Sequence, residues 1–295
     1  LINFVGVKFM YEILEDYFLD RPIIAASLRH EIKAKYNHGA TLAILNAPSR
    51  LMYPEVCPHL VKNYGPNDDI LAAKKANLVE FQKRTGLIVN SEAILFYWPS
   101  RLDPAQKGVE LLEDIALRFV IENSDVQIAV VGDGIGRDKK HEEALGRIAM
   151  ASGGKIAYHH FNESLSMLGY AAASDVFGAS LYEPCGQIDQ IGNLYGATAT
   201  NRDTGGYHDK IRELKLQGQG VDHDEGNGFL FRDYDSGGLW YALSRSAHFH
   251  RHAAAVRESQ LKRIMKETRQ FYNLDKMIDE YVSVYERLNG NRPLA

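Results

Sequence analysis

The sequence predicts an α/β fold, a Rossmann-like doubly wound parallel sheet, over most of its 295 residues. Three observations carry that prediction. From residue 91 onward, apolar runs of strand length alternate with segments whose apolar residues recur at helical spacing. The strand runs are apolar throughout rather than every second residue, as expected where helices cover both faces of a sheet. Glycine-bearing turns follow several of the strands, where an open parallel sheet presents its ligand edge.

The elements follow in order. Residues 1–88 mix helix with two short strands, PIIAAS (22–27) and TLAILN (41–46). The stretch 46–69 holds four prolines, and a loop of that length in a compact domain is usually functional or disordered. EAILFYW (92–98) is a strand, KGVELLEDIALRFVI (107–121) a helix and VQIAVVG (126–132) a second strand. HEEALGRIAMAS (141–152) is a helix and KIAYH (155–159) a third strand. SLSMLGYAAAS (164–174) is helical, DVFGAS (175–180) is a strand and QIGNLYG (190–196) starts another helix. ATAT (197–200) reads as the last strand. Residues 236–290 hold three helical segments, ending in LDKMIDEYVSVYERL (274–288).

Composition narrows the function. Charged residues make up 24% and the net charge is −4, which asks for neither nucleic acid nor an anionic membrane surface. The two cysteines, Cys57 and Cys185, stand far apart, so a disulfide framework and a CxxC zinc site are not expected. No run of 18 apolar residues occurs and no signal peptide is visible, so the expectation is a cytoplasmic protein. The chain opens on Leu1 and runs straight into LINFVGVKFMYEILEDYF, which reads like protein interior and raises the expectation of a fragment.

Four features fall at the ligand edge. Arg101 and Lys107 lie on the loop after strand 92–98, two cations before a helix start, as suits a diphosphate. VVGDG (130–134) lets backbone approach a ligand. LYEPCG (181–186) puts Glu183 just past a strand. Thr204-Gly205-Gly206 offers a hydroxyl and N–H groups, an anion nest. Each alone is ordinary: surface cations are usually solvated, a strand-end glutamate often caps the next helix, and TGG is often only a turn. Their shared edge makes the case. No Walker lysine motif is present.

The order of these motifs resembles the bacterial and plant glycogen/starch synthases, retaining glycosyltransferases of the two-domain GT-B type. SRLDPAQKG (100–108) is similar to their SRLxxQKG, YEPCG to SRFEPCG, RDTGGYHD (202–209) to RRTGGLxD, and ILNAPSRLMYP (44–54) to LNGVDxxxWNP. NGFLF (227–231) and the EYVSVYERL helix follow in the same order, and the resemblance runs from about residue 22 to 288. It implies glucose transfer from ADP-glucose (or UDP-glucose) to the non-reducing end of an α-1,4-glucan, with retention. It implies no cofactor and no metal. Arg101 and Lys107 would hold the distal phosphates and steady the leaving diphosphate, and Glu183 would meet the glucose hydroxyls. The backbone of Cys185, Gly186, Gly205 and Gly206, with Thr204, would line the glucose–diphosphate site. Phe161 would stack on the base, with Tyr158 as rival. The family's N-terminal domain, with its KxGGL motif, acceptor groove and catalytic histidine, is absent. The chain therefore divides into a linker and N-terminal remnant (1–88), a nucleotide-sugar domain (89–273) and a crossing helix (274–295).

Three departures stand out. Arg101 and Lys107 are one residue further apart than in the family pattern, SLY replaces SRF before the EPCG, and Gln187-Ile188-Asp189 replaces LTQ after it. The last puts a new acid, Asp189, beside an anion site. Two rival readings remain: another GT-B transferase, against which Ile191 stands where such relatives often place a second acid, and a non-catalytic nucleotide-sugar or glucan-binding module. His248 and His252 share a helix face without a third zinc ligand, and VDHDEGNG (221–228) reads as a solvated loop. The aromatic stripe Phe9, Tyr11, Tyr17, Phe18 reads as core against the absent half.

Overall fold

A computed structural model describes residues 1–15, 23–135, 139–216 and 224–290. Its centre is a six-stranded parallel sheet in the order β5-β4-β3-β6-β7-β8. The strands are β3 (Ile94–Pro99), β4 (Val126–Val131), β5 (Ile156–His159), β6 (Asp175–Gly178), β7 (Thr198–Arg202) and β8 (Gly228–Phe231). The chain starts at the middle with β3, steps outward to β5, returns to β6 and steps outward the other way. Between β3 and β6 the winding reverses, and at that point a crevice opens beyond the carboxyl ends of the strands.

The apolar strands fold this way because both faces are covered. Along β3, Leu95 and Tyr97 point into one core cluster with α3 (Ile70–Thr85), α6 (Glu163–Ala172), α7 (Ile188–Leu194) and α10 (Ala254–Phe271). Ile94, Phe96 and Trp98 point into the other, with α4 (Val109–Glu122), α5 (Lys140–Ala151) and α9 (Ser236–His250). The period-two alternation is thus hidden in the sequence, because both sets of residues are buried.

The first residues form a smaller unit. β1 (Ile2–Phe4) and β2 (Thr41–Ala43) pair in parallel, with α1 (Val7–Glu15) and α2 (Ala26–Asn37) against them. Phe4, Met10, Ile13 and Ile32 make its core. Helix α1 also packs on α8 (Gly205–Lys210) of the large sheet's unit, so the two are joined above the TGG turn.

Three expectations need correction. The strand expected at 22–27 is not one: residues 23–25 are outside any strand, residue 22 lies outside the described residues, and Ala26 begins α2. The helix-forming run ASLRHEIKAKYN outweighs three apolar residues. The strand at 197–200 is not the last, since β8 follows. β1 had no visible pattern at three residues. The proline-rich stretch 46–69 is ordered: the Asn63 side chain donates to the carbonyls of Pro54 and Cys57, both at 2.8 Å, and Tyr64 is buried. Tyr17 and Phe18 lie outside the described residues, as do residues 221–223 of the acidic loop.

Among the described residues no helix is long and apolar enough to cross a membrane. Cys57 and Cys185 are both free and buried. The terminal helix α11 (Leu274–Asn289) has no buried residue.

Candidate active site

The crevice beyond β3, β4 and β5 holds a cavity of about 640 Å³. Its floor is the turn after β4, Gly132-Asp133-Gly134, and its far wall comes from α6, with Ser166, Met167 and Tyr170. Arg101 lines the rim with an exposed side chain. Phe161, 61% exposed, forms the mouth, and Met52 reaches in from the proline-rich stretch. Gly132 is required here because a Cβ would stand 1.7 Å from the Ser100 carbonyl oxygen. The strand-end turns after β3 and β4 therefore touch backbone to backbone.

Lys107 and Glu183 are not among the residues lining the cavity; past β3 and β6 they form a buried ion pair. Lys107 Nζ stands 2.5 Å from Glu183 Oε2, with both side chains nearly buried. Ser180 Oγ donates to the same oxygen at 3.0 Å. The extra residue between Arg101 and Lys107 is absorbed by a turn, in which Asp103 Oδ1 accepts from the Ala105 N–H and the Asp103 carbonyl from the Lys107 N–H. Arg101 therefore faces the cavity while Lys107 faces Glu183. The family resemblance implies both cations on the phosphates; in this structure Lys107 pairs with the Glu183 carboxylate.

The EPCG loop is braced from below by the TGG turn. A Cβ on Gly205 would stand 1.8 Å from the Glu183 carbonyl oxygen, and one on Gly206 1.9 Å from that of Cys185. Gly205 also has φ +45°, a left-handed backbone that favours glycine. The nest expected from the sequence is already occupied. The Gly206 N–H donates to the Glu183 carbonyl at 2.9 Å, and the Gly205 N–H donates to the Glu12 carboxylate at 3.1 Å. Thr204, fully buried, gives its hydroxyl to the same carboxylate. These glycines serve close packing, and Thr204, Gly205, Gly206, Cys185 and Gly186 are not among the residues lining the cavity. Burial raises the Cys185 thiol above its usual range, which leaves it a poor nucleophile.

Of the two aromatic candidates, only Phe161 lines the cavity. The Tyr158 hydroxyl donates to the Gly132 carbonyl at 3.2 Å, and partial burial pushes its pKa up to about 12. Its hydrogen bond is spent on the floor of the crevice. At the rim, Asp133, Glu142 and His160 come together. Their charges are answered locally: His160 Nδ1 lies 2.8 Å from Asp133, and Lys139 is 2.9 Å from Glu142. His248 lies on α9 but His252 lies beyond its last residue, His250, so the two do not share a helix face as expected, although their ring centroids are 5.3 Å apart.

The sequence comparisons agree in one direction. The chain is 31% identical to the glycogen synthase of Thermotoga petrophila over 291 residues, covering 97% of this chain and 54% of that protein. It is 28% identical to the glycogen synthase of Geobacillus stearothermophilus over 313 residues, covering 98% and 61%. Over nearly its whole length this chain is homologous to proteins named glycogen synthase. It spans about half the length of the curated relatives that it matches. No family model matches it. Among solved structures, the catalytic domain of Arabidopsis thaliana starch synthase IV, bound to ADP and acarbose, is similar with a TM-score of 0.81 at 22% identity, over 97% of this chain and 55% of that one. Anabaena HepE in complex with UDP and glucose has a TM-score of 0.60 at 16% identity, over 84% and 57%. These structural likenesses establish the GT-B type of fold.

Against the glycogen synthase pattern, the Gln187-Ile188-Asp189 departure is locally compensated. Asp189 is buried and pairs with buried Lys210 at 2.8 Å. Desolvation raises its carboxyl, and the lysine draws it back. Lys210 also donates to the Gly186 carbonyl. The new acid brings its own cation, so it adds no net charge to the crevice.

Proposed function

We propose that this chain is the donor-binding half of a retaining glucosyltransferase of the glycogen/starch synthase type. It would move glucose from ADP-glucose or UDP-glucose to the non-reducing end of an α-1,4-glucan, in the cytoplasm. The observation that carries the reading is the crevice at the winding reversal. There an exposed guanidinium, a glycine floor, an aromatic mouth and a buried Lys–Glu pair meet at one sheet edge.

Each group has a task in this reading. Arg101, free to point into the cavity, takes the phosphate oxygens in bidentate fashion. Phe161 offers its exposed ring to the base. The Gly132–Gly134 backbone lets the diphosphate come close. Glu183, fixed by Lys107 and Ser180, accepts from glucose hydroxyls. As the glycosidic bond to the diphosphate loosens, positive charge grows at the sugar and negative charge on the leaving group. Arg101 meets the second, and Lys107 keeps Glu183 from adding uncompensated negative charge beside it. The acceptor groove would come from the half of the relatives that this chain does not span.

The binding-module alternative draws on the altered Gln187-Ile188-Asp189 and on the extra loop residue, and the Asp189–Lys210 pair weighs against the first of these. Transfer of labelled glucose to a maltooligosaccharide tests the proposal. A longer protein that joins this chain to the half of its relatives it does not span should elongate the primer, and this chain alone should not. Nucleotide-sugar binding without elongation by the longer protein would leave the binding module as the answer.

A further inference from the structure

Glu12 is the least expected residue near the crevice. It sits on α1, in the small N-terminal unit, yet it is 1% exposed and spends both carboxylate oxygens on Thr204 and Gly205, 192 and 193 residues away in sequence. Desolvation raises its carboxyl, while the Gly205 N–H, the Thr204 hydroxyl, Lys8 and Arg202 hold it down. A buried carboxylate that reaches across two units for main-chain hydrogen bonds fixes the parts it joins.

What it fixes is one step from Glu183. The Gly205 peptide lies against the Glu183 backbone so closely that no Cβ fits, and the next N–H, of Gly206, donates to the Glu183 carbonyl. The same segment is tied again above: a Cβ on Gly6, just before α1, would stand 2.6 Å from the Pro184 carbonyl oxygen. Phe9 stacks on Tyr182 with ring centroids 6.4 Å apart. The Lys8 N–H donates to Asp209 on α8 at 3.2 Å. Helix α1 is thus a clamp over residues 182–184, and Glu12 is its polar anchor.

We infer that Glu12 is a positioning residue for donor sugar: through Gly205 and Gly206 it sets the main chain of Glu183, and so the carboxylate that meets the glucose. The inference rests on the donor reading above. It separates the two parts of the donor. The nucleoside diphosphate relies on Arg101 and the cavity, which Glu12 does not touch, whereas the glucose relies on Glu183.

The test is titration calorimetry of the chain with ADP and ADP-glucose, or UDP and UDP-glucose if the chain prefers uracil, in parallel with amide hydrogen exchange. Glu12→Ala should lower affinity for the nucleotide sugar about tenfold, the worth of one charge-assisted contact, and leave affinity for the bare diphosphate within about twofold. Exchange at the Gly206 amide should rise by about tenfold or more in the same variant. Glu12→Gln, which keeps one acceptor oxygen, should recover most of the sugar affinity. If Glu12→Ala does not fold, Glu12→Asp, one methylene short of Gly205, should give the same selective loss. Equal loss of both ligands, or no loss of either, would overturn the inference, and so would unchanged exchange at Gly206. Glu183→Gln is the control for the donor reading. If it fails to weaken the sugar selectively, that reading falls, while the exchange result still decides whether Glu12 holds the loop.

Discussion

Replacing Lys107 with methionine isolates the ion pair at the heart of the site. The change keeps the aliphatic stem and removes the ammonium 2.5 Å from Glu183. Glu183 would then keep its Ser180 hydrogen bond but lose its cation, in a place where its side chain is 9% exposed. Orphaning one member of a fully buried pair costs about 3–5 kcal/mol. The partial exposure of both groups lowers this to about 3 kcal/mol. For a domain of this size that is a fall in Tm of roughly 6–10 °C. Lys107→Met with Glu183→Gln should return to within about 1 kcal/mol of the parent, because both charges leave together. Denaturant titrations of the four proteins give the coupling energy, expected at about 2 kcal/mol or more. A coupling below about 0.5 kcal/mol would show that the contact is incidental and that Lys107 is free for other work.

Other outcomes follow from the same geometry. Phe161→Ala should weaken nucleotide binding about tenfold by loss of stacking, while Tyr158→Phe should leave it unchanged; calorimetry distinguishes them. Gly206→Ala, whose Cβ meets the Cys185 carbonyl oxygen at 1.9 Å, should cost more stability than Phe161→Ala on an exposed ring, as thermal unfolding will show. Lys74 is buried, with its ammonium on the carbonyls of Ala171 and Tyr195, and desolvation lowers its pKa from 10.5 to about 7. Between those values the unfolded chain binds more protons than the folded one, so stability rises with pH. The parent should gain about 2 kcal/mol from pH 7 to pH 9 on this account, and Lys74→Met should lose that gain.

The sheet was legible in the sequence for a physical reason. Strands covered on both faces need apolar residues at every position, and runs such as EAILFYW show that without any knowledge of neighbours. Strand β8 was not legible, because GFLF is four residues long and follows a polar stretch that reads as loop. The site was half legible. Arg101, Lys107, Glu183 and Phe161 could be placed at one edge, since each lies just past a strand. Which charges meet could not be read. The Lys107–Glu183 pair joins two strand-to-helix connections and the Asp189–Lys210 pair joins α7 to α8, and no local pattern marks them. Glu12 carried no signal at all: its partners are nearly two hundred residues away, and a lone glutamate on an amphipathic helix looks solvated. TGG misled because small residues serve anion nests and tight packing alike, and only the coordinates tell whose N–H groups are spent.

The most direct test of the central claim is titration calorimetry of this chain with ADP, UDP and GDP, repeated with Arg101→Ala. The account predicts that one nucleotide binds best and that removing the guanidinium weakens it about tenfold. Equal affinity of parent and variant, or no binding of any nucleoside diphosphate, would contradict a donor site in this crevice.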